Sequence, residues 1–183
     1  MCDESLIFPV SPEQINKIEG SGFDLRVDKV MKMRTRGDGD KEICVPFLGV
    51  RARRLPGVDT VEPSKLVTAG VEFTGWFLTP NAYYLVQTAE TLRMPPDLVA
   101  FVDSRTTLFR GAAVIHCSPV HPGYTGLLTF GLQVFAPNGF FLEQGARIVT
   151  ARFACITRGD TDIYQGVWSG DRATTDGQLE RAH

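Results

Sequence analysis

The sequence predicts a mainly β protein, folded as a barrel or jelly-roll-like sandwich with few, short helices. Stretches with apolar alternation recur at roughly ten-residue spacing. Gly and Pro, 18 and 11 of 183 residues, lie dispersed between them as turn clusters. Outside a short segment near Leu108, little of the chain holds a helical period.

Residues 12–20 read as a short polar helix or turn, and residues 23–27 alternate as a strand. Residues 34–41 are charged and Gly-rich, a loop or hairpin tip; residues 51–64 hold several Arg and Pro without a period and read as an irregular insertion. Residues 70–75 and 82–87 flank a Pro80-Asn81 turn and read as strands, and residues 91–99 turn into another strand that runs through Val102. Three further β patterns cover residues 112–116, 124–135 and 146–155, with Pro137-Asn-Gly139 as a hairpin turn because Asn-Gly adopts positive φ readily. Residues 173–183 are polar with almost no apolar anchor, which predicts a mobile tail after a single domain over residues 1–172.

A formal net charge of -2 makes a nucleic-acid polymer a poor partner. No apolar run is long enough to span a bilayer, and the start Met-Cys-Asp-Glu-Ser lacks a basic signal region, so a cytoplasmic protein without a membrane partner is expected. Cys2, Cys44, Cys117 and Cys155 are scattered and read as reduced thiols. His116, Cys117 and His121 would crowd three ligands onto one short turn with no acidic partner, so no metal site is assigned to them. The His-x-Glu and Pro-Cys-x-x-Cys pair of zinc-dependent nucleobase deaminases is absent as well.

Two segments carry chemistry. In Asp103-Ser-Arg-Thr-Thr-Leu-Phe-Arg110, Arg105 and Arg110 can grip phosphate oxygens in pairs, and Thr106 and Thr107 can donate hydroxyls beside them. A helix opening near Thr106 would add free N–H groups. The second segment, His121-Pro-Gly-Tyr-Thr-Gly126, is a tight turn opening a long strand. Alone, the first is most often solvated surface and the second a common β turn; their order and spacing give the signal. In the strand that follows, Leu128, Phe130, Leu132 and Val134 share a core face. Leu127, Thr129, Gly131 and Gln133 share the other, small and polar enough to floor a ligand, although Gly131 can equally mark a bulge or a close backbone approach.

Six segments in order resemble the dCTP deaminase/dUTPase family. They are Gly22-Phe-Asp-Leu-Arg26; residues 78–103, from Leu78-Thr-Pro-Asn81 to Met94-Pro-Pro-Asp-Leu-Val99; Ser104-Arg-Thr-Thr-Leu-Phe-Arg110; Val120-His-Pro-Gly-Tyr-Thr-Gly126; Leu142-Glu-Gln-Gly-Ala-Arg-Ile148; and Tyr164-Gln-Gly-Val-Trp-Ser-Gly170. The resemblance implies a distorted β-barrel of the dUTPase type, assembled as a homotrimer with sites at subunit interfaces. It implies a pyrimidine deoxynucleoside triphosphate as ligand, with Mg2+ held through the phosphates. Arg105, Thr106, Thr107, Arg110, Gln133, Tyr164 and Arg172 would hold the nucleotide, and the turn at Ser118 and Val120 would read the base.

The chain departs from this pattern where the family does its chemistry. Gly131 stands where deaminase members place a proton-shuttling glutamate, and His121 stands where dUTPase members place an aspartate. In the lid, Val167 and Asp171 replace a lysine and a glutamine. Three readings follow. The leading one is a dCTP deaminase-like or dUTPase-like hydrolase with relocated groups. In it His121 is the candidate catalytic base, since imidazole titrates near neutrality, and Asp103, Glu143 and Asp171 are further candidates. The others are a catalytically inactive nucleotide sensor and a trimeric structural scaffold.

Overall fold

The computed structural model describes residues 6–16, 22–34, 46–157 and 163–181. Its elements, in chain order, are β1 (Ile7–Phe8), α1 (Pro12–Asn16), β2 (Gly22–Met33), β3 (Phe47–Leu48), β4 (Ala52–Arg54), β5 (Val58–Thr60), β6 (Ser64–Thr68), β7 (Val71–Leu78), β8 (Tyr83–Arg93), β9 (Leu98–Ser104), α2 (Thr106–Arg110), β10 (Ala113–His116), β11 (Thr125–Val134), β12 (Phe140–Glu143), β13 (Arg147–Cys155) and β14 (Glu180–Arg181). The mainly β expectation holds, and the strands at residues 23–27, 112–116, 124–135 and 146–155 and the helix near Leu108 form where the pattern put them. The loop expected over residues 34–41 lies, beyond Arg34, outside the described residues, as do Cys2 and Cys44.

The main sheet runs β10-β11-β8-β2-β13-β9, with β1 added to β8 and β5 to β2. Its two ends approach through a bridge in which Val120 and Ala100 exchange both backbone hydrogen bonds, at 2.8 and 3.0 Å. That bridge nearly closes the sheet into a barrel and pins the turn after β10. Register shifts in β2 against β8, in β2 against β13 and in β8 against β11 bend the long strands enough to curl. Inside lie Leu25, Val27, Val30, Val86, Leu92, Leu132, Val134, Ile148 and Val149, all buried. Two smaller sheets flank the barrel, β12-β7-β6 and β14-β4-β3. Trp76 of β7 ties the first to the barrel, donating its indole N–H to the Val61 carbonyl at 2.7 Å.

One buried charge organises the middle of the main sheet. Glu90 of β8 is 0 % exposed. Its carboxylate accepts from the Arg26 Nε at 2.7 Å, the Arg26 backbone N–H at 2.9 Å and the Gln14 amide at 2.6 Å. A carboxylate without water persists only when its oxygens are matched in this way. The contact joins α1, β2 and β8.

Three expectations are corrected. The Pro137-Asn-Gly139 turn forms, with Gly139 at φ +83 and its N–H bonded to Ala136 O at 3.0 Å, but it is a corner and not a hairpin. β11 already has β8 and β10 as partners, so β12 crosses to pair with β7. Residues 51–64 are not wholly irregular, since they supply β4 and β5. The segment after residue 172 is packed where described. The Thr175 hydroxyl donates to Leu55 O and accepts from Leu55 N–H, Gly177 N–H bonds Leu55 O, and β14 pairs with β4. Those anchors are backbone and hydroxyl hydrogen bonds, which apolar patterning does not register.

Replacing Glu90 by Ala strands the Arg26 guanidinium against the core. The expected loss is about 3–5 kcal/mol of unfolding free energy, read from denaturant midpoints at unchanged m-value.

Candidate functional site

A cleft of ≈ 450 Å³ opens beside the turn that follows β10. Ser118, Pro119, Val120 and His121 form one wall, Leu85, Leu128, Thr129 and Phe130 the floor, and Tyr164, Trp168, Arg172, Ala173 and Leu55 the cover. The turn is built to be rigid. Val120 is held in the bridge to Ala100, Gly123 at φ +80 donates to Met94 O, and Tyr124 N–H closes the turn on His121 O at 3.2 Å. Beneath it Tyr124 is buried and donates its hydroxyl to Leu127 O at 2.6 Å. Burial, helped by the nearby negative charge of Asp171, pushes that hydroxyl up to about 12. Burial also pushes the Cys117 thiol up to about 11, with the Asp103 charge adding, so this cysteine at the edge of the turn is a poor nucleophile.

The cover is residues 163–173, and it is bonded down onto the start of β11. Tyr164 N–H donates to Pro122 O at 2.7 Å, Gly170 N–H to Thr125 O at 3.0 Å and the Ser169 hydroxyl to Thr125 O at 2.9 Å. Leu127 N–H donates to the Asp171 carboxylate at 2.5 Å, and the Gln87 amide reaches Asp171 O at 3.1 Å. Gly126, at φ +148, permits the approach: a Cβ there would lie 3.0 Å from Gly170 N and 3.1 Å from Asp171 N. His121 is exposed and lies parallel to the Tyr164 ring, centroids 6.1 Å apart.

Gly131 does not line the cleft. It is buried, and a Cβ on it would come 1.8 Å from the Tyr83 hydroxyl. Tyr83, opposite Gln133 in the β8–β11 register, thus fills the space that any side chain at position 131 would need. Partial burial raises its pKa above the ordinary tyrosine value.

Of the residues singled out from sequence, Ser118, Val120, His121, Tyr164 and Arg172 converge on this cleft. Arg105, Thr106, Thr107, Arg110 and Gln133 are not among the residues lining it. Arg105 caps α2 and forms an ion pair with Asp24, which also holds Arg147 at 3.0 Å and the Thr150 hydroxyl at 2.6 Å. Thr106, Thr107 and Arg110 are exposed on α2. Asp103 pairs with Arg152, Glu143 is exposed at the end of β12, and Asp171 is engaged by Leu127 N–H. Leu85, which lines the cleft, and Gln87 and Arg53, which touch the cover at Asp171 O (3.1 Å) and over Trp168 (4.8 Å), were not signalled by the sequence, nor was Tyr83 beside Gly131. Their roles depend on long-range strand register, for which the local pattern holds no sign. Among the described residues no group of three or more His, Cys, Asp or Glu side chains is placed to hold a metal ion.

The family model described as dCTP deaminase-like matches residues 3–156. A protein of Aeropyrum pernix named "Probable deoxyuridine 5'-triphosphate nucleotidohydrolase" is 29% identical over 154 residues, 84% of this chain and 86% of its own. One of the same name from Methanosarcina mazei is 30% identical over 155 residues, 85% of this chain and 82% of its own. A "dCTP deaminase, dUMP-forming" of Dictyoglomus turgidum is 36% identical over 93 residues, 49% of this chain and 48% of its own. Among solved structures, the 2'-deoxycytidine 5'-triphosphate deaminase of Agrobacterium tumefaciens superposes with a TM-score of 0.55 at 16% identity, covering 81% of this chain. The chain spans only 42% of that deaminase's length, and the likeness is one of fold.

Two outcomes follow from the packing. Gly131→Glu is expected to cost about 1–3 kcal/mol through overpacking against Tyr83, with much of the loss recovered in a Gly131→Glu, Tyr83→Ala double variant; thermal unfolding of the three proteins checks this. Tyr124 keeps its proton up to about 12 when folded but loses it near 10.0 when unfolded. Its contribution is therefore full below pH 10 and lost as pH rises toward 12. Tyr124→Phe should cost about 1 kcal/mol below pH 10 for the lost hydrogen bond and flatten the stability–pH curve above it, so that the gap to wild type closes as pH rises.

Proposed function

The chain belongs to the dCTP deaminase-like family, and on that premise we propose that it binds a pyrimidine deoxynucleoside triphosphate in the cleft under residues 163–173 and hydrolyses it with release of pyrophosphate. The observation that carries this reading is the convergence of the Ser118–His121 turn, Tyr164 and Arg172 on one cleft while the space beside Gly131 is filled by Tyr83. Deamination at C4 needs a group that takes and returns a proton near the base, and no side chain at position 131 offers one. The relatives that align over most of this chain carry names of triphosphate nucleotidohydrolases.

In this scheme the backbone of Ser118–Val120 reads the pyrimidine edge and Tyr164 covers the nucleoside. His121 accepts a proton from the water that attacks phosphorus, and Arg172 takes phosphate charge at the mouth. Mg2+ would arrive on the phosphates, neutralising their charge, since the described residues offer no donor cluster of their own. Arg105, Thr106, Thr107 and Arg110 lie off the cleft of their own chain, which fits their delivery to a neighbour's cleft in a homotrimer. A second reading, a sensor that binds the nucleotide without turnover, is favoured by Gly131 and His121 standing where the family's two carboxylates would be.

A panel of dUTP, dCTP, dTTP and UTP with Mg2+, scored for pyrophosphate, ammonia and thermal shift, decides between them. Pyrophosphate release with a shift is expected; binding without turnover would leave only the sensor, and no shift with any nucleotide would refute both. His121→Ala is expected to lose about 100-fold or more in kcat while keeping the shift. Arg110→Ala is expected to abolish the nucleotide-induced shift, and an intact shift would mean that the phosphate grip lies elsewhere.

A further inference from the structure

Two guanidinium groups and one carboxylate meet at the mouth of the cleft. Arg53 and Arg172 both lie against the Trp168 ring, at 4.8 and 5.7 Å from its centroid. Both also reach Glu180, one on each carboxylate oxygen: Arg172 in direct contact, Arg53 only at 3.8 Å. The Arg53 side chain is 15% exposed, and its Nε and one Nη have no hydrogen-bond partner. The distance to Glu180 is too long for a hydrogen bond, so the carboxylate neutralises Arg53 without satisfying it. Buried guanidinium N–H groups left unpaired are costly, and an acceptor with more oxygens than a carboxylate would remove that cost.

From this geometry we infer that Arg53 and Arg172 form an anion site for the distal phosphates of a nucleotide, and that Glu180 occupies it until phosphate displaces it. Charge favours the exchange. Two cations facing one carboxylate keep a net positive charge, and a polyphosphate answers it with several oxygens and the pairwise geometry that guanidinium prefers. Position favours it too, because Trp168 and Arg172 line the cleft whose far wall is the Ser118–His121 turn. Glu180 sits in the two-residue strand β14, directly opposite Arg53 in the register with β4. Arg53 belongs to residues 51–64, outside the six motif segments but within residues 3–156 that the family model matches.

The inference rests on the nucleotide reading only for the identity of the anion, and inorganic tripolyphosphate separates the two. Wild type, Glu180→Gln and Arg53→Met are titrated by calorimetry, in magnesium buffer, with tripolyphosphate, dUTP and 2'-deoxyuridine. Glu180→Gln keeps the strand but removes the competing charge, and should bind tripolyphosphate and dUTP about tenfold more tightly. Arg53→Met keeps the stem over Trp168 and should bind both about tenfold more weakly. Neither should alter deoxyuridine binding. Tripolyphosphate affinity unmoved by Glu180→Gln overturns the site, whatever dUTP does; if dUTP still binds, the nucleotide reading stands without it. Tripolyphosphate binding that responds to both substitutions, with no nucleotide preferred over it, upholds the site and removes the nucleotide reading. Should Arg53→Met lower the ligand-free Tm below use, the Glu180→Gln result alone decides.

Discussion

A carboxylate shut away from water must be matched where it lies, and Glu90 is matched by α1 and β2 at once. The pairing fixes β8 in position along its axis, and β8 carries Leu85 of the cleft floor and two residues that brace the strand and cover beside it. With period two, Tyr84, Val86, Thr88, Glu90 and Leu92 face the core and are all buried. Tyr83, Leu85 and Gln87 consequently face the other way. Tyr83 fills the space beside Gly131, Leu85 floors the cleft, and Gln87 holds the cover by the Asp171 carbonyl. A slip of one residue in β8 would exchange these two sets. The buried charge makes that slip expensive, so it secures the placement of Tyr83, Leu85 and Gln87, which it does not touch.

Gly131 and Tyr83 fill one space from two neighbouring strands. A glycine alone in mid-strand would leave a gap beside β8 and cost conformational entropy. With the Tyr83 ring in that gap the sheet stays packed, but no carboxylate can be restored at position 131 without moving the ring. The chemistry open to the cleft is thereby narrowed to groups on the turn, of which His121 alone combines exposure with a proton-accepting side chain.

The fold was legible because its cues are local. Alternation over residues 124–135, dispersed turn residues and the short apolar helix around Leu108 each report on their own neighbourhood. The cleft was half legible: the turn at Ser118–His121 and the cover at Tyr164 could be placed by motif order. What could not be read was anything set by pairing between distant strands. Tyr83 opposite Gln133, β12 crossing to β7 after an Asn-Gly turn, and β14 closing on β4 leave no mark within a ten-residue window. The C-terminal segment misled for a related reason. Its hold on Leu55 runs through a threonine hydroxyl and backbone N–H groups, so its polarity signals attachment as readily as freedom.

The contacts of the cover fall into two sets with different consequences for ligand energy. Ser169, Gly170 and Asp171 bond the backbone of β11, and Gly126 permits their approach. Backbone bonds that a ligand does not replace contribute nothing to the difference on which catalysis depends. Trp168 and Arg172, one residue before and one residue after that set, are instead engaged with Arg53 and Glu180. Only this second set has partners that a phosphate could take over. On the proposed nucleotide reading, binding energy from the triphosphate would therefore be concentrated at the mouth of the cleft, while the wall carrying His121 is already held by the Val120–Ala100 bridge.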